Sequence, residues 1–105
     1  MESKRIDARA AANLDVDTAF EHYLSTAGPG VADGFMDALA TAYSHITRHP
    51  RTGSSRYGFQ LGIPGLRSWP LNRYPYLVFY LEMPREIDVV RVLHGAMDLP
   101  HWLDH

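Results

Sequence analysis

Cysteine is absent from the 105 residues, which excludes disulfides, thiolate zinc sites and cysteine nucleophiles together. Long apolar runs are missing as well. The longest, YLVFYL at 76–81, is far short of the ~20 residues that span a bilayer. The first residues, MESKRIDARAAANLD, hold no apolar stretch of the signal-peptide kind, so a cytoplasmic protein without membrane contact is expected. Glycine-rich phosphate loops are lacking: GIPG at 62–65 has neither the lysine nor the spacing. Ser54, Ser55 and Ser68 have no nucleophile motif around them. Nor is there a large excess of one charge, since the net value is −2 and the pI about 6.3, which argues against a general nucleic-acid binder.

What is present is the composition of an ordinary folded domain, 46% apolar and 21% charged. A chain of this length makes one domain, here residues 1–105, and buries roughly two thirds of its unfolded surface. The small net charge conceals a pattern. Residues 1–37 hold three basic and seven acidic groups, 38–81 five arginines and no acid, and 82–105 two basic and five acidic groups. If Arg48, Arg51, Arg56, Arg67 and Arg73 share a face, the partner they suit is an acidic protein or phosphate.

Periodicity gives the elements. A short strand is expected at about Lys4 to Asp7. Val16, Phe20, Tyr23, Leu24 and Ala27 recur at helical spacing, and GPG at 28–30 ends that helix. Val31, Phe35, Ala38, Leu39, Ala42 and Ile46 mark a second helix that Pro50 stops. So short a connection predicts an antiparallel helical hairpin. From residue 66 the period changes: LRSWPL, YLVFYLE and IDVVRVLH are strand-like runs separated by the turn signals NRYP and MPRE. The expected fold is α+β, ordered β-α-α-β-β-β, with the hairpin packed on one face of a small twisted antiparallel sheet. DLPHWLD at 98–104 predicts a short C-terminal helical turn with Asp98 as its cap.

The polar residues with chemical potential are few. RVLHGAMD at 91–98 sets Arg91, His94 and Asp98 within eight positions. Strand alternation, however, groups Arg91 with Ile87, Val89 and Leu93, and places His94 on the opposite face with Val90 and Val92. His94 is the histidine best placed for acid/base work; its structural alternative is to close the strand end by hydrogen bonding. His45 and His49 have a spacing a metal uses, but no third ligand is evident and a helix C-terminus explains them equally well. His101 and His105 are weaker still as ligands. No metal or cofactor is therefore expected. Trp69 alternates with Arg67 and Leu71 on one face, against Leu66 and Ser68, and reads equally as core or as an interface anchor beside an arginine.

These pieces, taken in order, resemble the ParE branch of the RelE/ParE toxin superfamily. The resemblance rests on Pro50 and Gly53, on Leu66 and Arg67, on the run Tyr74-Pro75-Tyr76-Leu77-Val78-Phe79-Tyr80, on Arg91-Val92-Leu93-His94-Gly95, and on Asp98. Met97 stands where the family often has a basic residue. The resemblance implies the toxin of a type II toxin-antitoxin pair, neutralised in a hetero-oligomer by a ParD-like antitoxin. It further implies action on DNA gyrase by protein binding, with no catalytic residues and no direct nucleic-acid contact. Arg67, Trp69, Arg73 and Arg91 are the candidates for antitoxin or target binding. The alternatives are a RelE-like ribosome-dependent mRNA endonuclease, in which Arg67 and Arg91 would stabilise phosphate and His94 act as acid or base, and a non-toxic module that only binds its antitoxin.

Overall fold

The computed structural model describes residues 3–96. The expected C-terminal helical turn, with Met97, Asp98, His101 and His105, lies outside the described residues. The elements run β1 (Arg5–Ala8), α1 (Ala10–Ala27), α2 (Pro29–Arg48), a 3-10 turn (Pro50–Thr52), α3 (Arg56–Leu61), β2 (Leu66–Pro70), β3 (Tyr76–Glu82) and β4 (Glu86–His94).

Gly28 alone joins the two long helices. Its N–H closes α1 on the Tyr23 and Leu24 carbonyls, and its own carbonyl opens α2 by accepting from Ala32. It does so at φ +93°, a conformation that glycine adopts without a side-chain penalty, while Pro29 supplies the fixed φ suited to the first helical position. The hairpin lays Ala12, Val16 and Ala19 of α1 and Phe35, Leu39, Ala42 and Ile46 of α2 against Val78, Tyr80, Ile87, Val89 and Val92 of the sheet. Near Gly28 an aromatic cluster locks the corner. Tyr23, Phe35, Tyr74 and Tyr76 meet at ring distances of 5.2 to 6.2 Å, mostly edge to face, each such pair adding about 0.5–1.5 kcal/mol to simple burial. The Tyr74 hydroxyl donates to the Val31 carbonyl at 2.8 Å.

The sheet order is β1-β4-β3-β2, and it departs from expectation in one respect. β2, β3 and β4 form the predicted antiparallel meander, but β1 pairs with β4 in parallel, Ile6 opposite Ile87 and Ala8 opposite Val89. The short-turn argument governs strands adjacent in sequence; β1 reaches β4 only after the two helices and the meander, and a return through helices permits parallel pairing. A second difference is α3. Its RYGFQL has too few residues for a periodic signal, and it forms because Tyr57, Leu61 and the following Ile63 cover Leu66, Phe79 and Leu93 on the sheet face away from the hairpin.

The third difference bears on the site. The pairing of β3 with β4 shifts between Phe79 and Tyr80, so that Phe79 faces Arg91 while Tyr80 faces Val89. Val90 is the extra residue of a β-bulge, and beyond it the alternation is reset. Ile87 and Val89 face the hairpin before the bulge and Val92 after it, whereas Leu93 lies in the opposite cluster. The expected grouping of Arg91 with Ile87, Val89 and Leu93 is thus broken at the bulge.

Candidate functional site

Beyond Val89, β1 has ended, and among the described residues the outer edge of β4 has no strand partner. α1 takes over. The carboxylate of Asp15 accepts the Val92 N–H at 3.0 Å and receives Nε and Nη2 of Arg91, each at 2.7 Å. Both side chains are only 13–14% exposed. This carboxylate therefore covers a sheet edge and holds Arg91 at once; the hydrogen bonds that Arg91 donates to Asp15 are the main reason its guanidinium is held more firmly protonated than usual. On α2, burial and then the Asp15 charge push the Tyr43 hydroxyl up to about 12, so Tyr43 is neutral at physiological pH.

His94 ends β4. Its Nδ1 accepts the Ala96 N–H at 3.0 Å, and its ring meets Tyr76 edge-on at 5.2 Å. The ring thereby closes the turn that follows the strand.

Arg67 and Trp69 occupy successive outward steps of β2 on the hairpin side. Arg67 is half-buried and donates through Nη1 to the Gly53 carbonyl at 2.8 Å. Gly53 is itself wedged on the sheet: a Cβ there would run into the hydroxyl of Tyr80, which is fully buried and donates to the Pro50 carbonyl at 2.7 Å. The segment 50–53 is thus pinned to the sheet from two sides. Trp69 stacks flat on His45, with ring centres 3.9 Å apart and planes 16° apart. Nε2 of His45 lies 2.8 Å from the Thr52 hydroxyl, which also sits 2.8 Å from the His49 carbonyl. Desolvation first, then the charges of His49 and Arg48, lower the His45 pKa.

The indole forms a ridge between two clefts. One, of about 500 Å³, is bounded by Thr52, Arg56, Tyr57 and Leu77; the other, of about 360 Å³, by Ala38, Thr41, Leu71 and Asn72. Arg73 stands in the β2–β3 turn, exposed, at φ +71°. A left-handed backbone is costly for a residue with a side chain, and such outliers gather at recognition sites. The structure therefore brings Arg67, Trp69 and Arg73 to the β2 end of the sheet, whereas Arg91 lies at the β4 edge.

The five arginines of the basic block are divided. Arg56 sits over the Tyr57 ring at 5.5 Å beside Trp69, while Arg48 and Arg51 line a separate cleft with Lys4 and Glu82. The His45–His49 pair has rings 5.3 Å apart, but His45 is engaged by Trp69 and Thr52, and among the described residues no group of three potential ligands forms. One site residue escaped the sequence reading, Asp15, distant in the chain from the arginine it holds, and His45, read there only with His49 as a metal-spacing pair or a helix C-terminus, is instead the support of Trp69.

Comparison with known proteins agrees with this fold. The family model described as ParE toxin of type II toxin-antitoxin system, parDE, matches residues 6–99. Toxin ParE3 of Caulobacter vibrioides is 26% identical over 85 residues, which cover 81% of this chain and 80% of the relative. Among solved structures, a chain of the chromosomal ParDE TA system from P. aeruginosa superposes with a TM-score of 0.71 at 21% identity, over 88% of this chain and 96% of that one. The structural likeness speaks to the fold.

Proposed function

Since the chain belongs to the ParE toxin family of type II toxin-antitoxin systems, we propose that it acts by binding a protein, with DNA gyrase as target and a ParD-type antitoxin as neutralising partner. The observation that carries this reading is the commitment of Arg91. A ribonuclease of the RelE kind would need that guanidinium turned toward RNA phosphate, and here two bonds at 2.7 Å hold it on Asp15. Arg67 is likewise engaged by Gly53, and His94 by Ala96. The modest pI of 6.3 also suits a protein partner better than ribosomal RNA, whose binding favours a strongly basic protein.

In this reading Trp69 is the aromatic anchor facing the antitoxin or the target, with Arg67 and Arg73 as its charged flanks, while Arg91, held on Asp15 at the β4 edge, adds to the contact only through its small exposed part. An antitoxin segment that orders on binding can wrap such a ridge and fill the clefts beside it. Toxin and antitoxin then form a hetero-oligomer in the cytoplasm.

Purified gyrase provides the test. Addition of the protein is expected to inhibit supercoiling and accumulate cleaved complex, and added antitoxin to reverse both. Unaffected supercoiling at high excess of toxin would sink the gyrase assignment. Codon-specific mRNA cleavage lost in His94→Ala would establish the ribonuclease alternative, and normal growth on induction without antitoxin the non-toxic one.

A further inference from the structure

Away from Trp69, the last turn of α2 and the 3-10 turn face the start of β1 across a cleft of about 630 Å³. Among the described residues Lys4, Arg48 and Arg51 stand around it with one carboxylate, Glu82, a local excess of positive charge on a chain whose net charge is negative. The three cations are unequally held. Lys4 donates to Glu82 at 2.8 Å and to the Met83 carbonyl at 2.6 Å. Arg51 reaches the same carboxylate only through Nε, at 3.4 Å, with 84% of its side chain exposed. Arg48 gives Nε to the Ser44 carbonyl at 3.2 Å, and its terminal nitrogens bond none of the described residues. Two guanidinium forks, the groups best shaped for paired N–H···O recognition, are thus open at the rim.

We infer that this cleft docks an acidic segment of a partner protein, one in which carboxylates alternate with apolar side chains. Three features choose this occupant over a compact phosphate. Glu82 and the carbonyl end of α2 both line the cleft and disfavour a dianion seated deep within it. Arg48 and Arg51 sit on different elements, so carboxylates spaced along an extended chain reach both while passing Glu82. The walls, which include Pro50 and the arginine stems, expose more carbon than polar atoms and accept the apolar side chains between. The loose Arg51–Glu82 contact is the exchange point: an incoming carboxylate takes Arg51 while Lys4 keeps Glu82. This surface adjoins the Trp69 ridge at Thr52 but presents its own charged groups, and the inference holds whether or not gyrase is the target.

The full chain, ¹⁵N-labelled, is titrated with a blocked octapeptide alternating Glu and Leu, with a Lys–Leu peptide and inorganic phosphate as comparison arms, while the arginine Nε–H signals are followed. The Glu–Leu peptide is expected to shift Arg48 and Arg51, and the Arg48→Glu/Arg51→Glu variant, whose positions are exposed and whose fold circular dichroism checks, to bind about tenfold more weakly or worse. Glu82→Gln, by removing the competing carboxylate, is expected to tighten binding. Equal affinity in the double variant, shifts centred elsewhere, weaker binding by Glu82→Gln, or phosphate moving the same signals at lower concentration than the peptide would each overturn the inference.

Discussion

Removing the carboxylate of Asp15 tests the central structural claim, that α1 rather than a strand secures the upper edge of β4. Asp15→Ala takes from Arg91 its ion-pair partner and from Val92, itself only 1% exposed, the acceptor of its N–H. Breaking a buried ion pair by deleting one member costs about 3–5 kcal/mol. Because the two side chains retain 13–14% exposure, water relieves part of this, and a loss of roughly 3 kcal/mol is expected. For a domain of this size that corresponds to a drop of roughly 15 °C in Tm. Asp15→Asn keeps an acceptor for Val92 while losing the charge, and should fall about halfway. The double replacement Asp15→Leu/Arg91→Met removes both charges together, so its loss should be smaller than the sum of the single losses by about 2 kcal/mol.

Urea unfolding followed by far-UV circular dichroism measures the wild type, these three variants and the component single variants Asp15→Leu and Arg91→Met, with a constant slope licensing comparison of midpoints. An Asp15→Ala loss below about 1 kcal/mol, the scale of an exposed pair, would refute the reasoning, and so would strictly additive losses in the double variant. The same double variant answers a functional question. If it folds and still inhibits its target, Arg91 serves the fold; if it folds and is inert, Arg91 belongs to the contact surface as well.

Gly53→Ala drives a methyl group into the bonded hydroxyl of Tyr80 and is expected to cost about 1–3 kcal/mol; Tyr80→Phe in the same chain should return part of that in urea melts, and additive losses would contradict the clash. Acidification should weaken the fold through His45 and Glu82. The lowered His45 pKa, set chiefly by desolvation, means that the unfolded chain takes up the proton first, so stability falls with pH from just below the ordinary histidine value of 6.5. Glu82, pulled down chiefly by the Lys4 hydrogen bond, contributes stability above the ordinary carboxylate range that is lost as pH falls through its lowered folded value. A stability profile unchanged by His45→Asn across the histidine range would refute the first part. Arg67→Glu is expected to weaken the antitoxin complex by more than about 1 kcal/mol, and unchanged affinity by calorimetry would remove it from the interface. Arg73→Gly should relieve the left-handed backbone and gain about 1 kcal/mol of stability while weakening that complex; a more stable variant with full affinity would remove Arg73 from the antitoxin interface.

The parts of this fold that were legible in the sequence are those governed by neighbours in the chain. Val31 to Ile46 announced α2 because one apolar face recurs over four turns, and the turns NRYP and MPRE fixed the meander because short connections leave adjacent strands little choice. Alternation correctly set Arg67, Trp69 and Leu71 on one face of β2. It failed on β4 because a single inserted residue, Val90, resets the period, and nothing in a run of valines marks which one is extra. The parallel pairing of β1, the short α3 and the clasp of Asp15 on Arg91 depend on contacts between distant segments, and leave no local period to read.

The same distinction separates chemistry from recognition in RVLHGAMD. Arginine and histidine side by side in a sequence resemble a catalytic set, yet what such groups do depends on whether the fold has already satisfied them. Here the bulge and the missing strand beyond Val89 create a demand for polar closure at the β4 edge, and Asp15 with Arg91 meets it, while His94 closes the following turn. The side chains left open to partners are of another kind: an indole propped on a histidine between two clefts, and guanidinium forks on an acid-free stretch of chain. That division, polar groups near the strand end turned inward and aromatic and basic groups elsewhere turned outward, is the arrangement that the proposed action by protein binding requires.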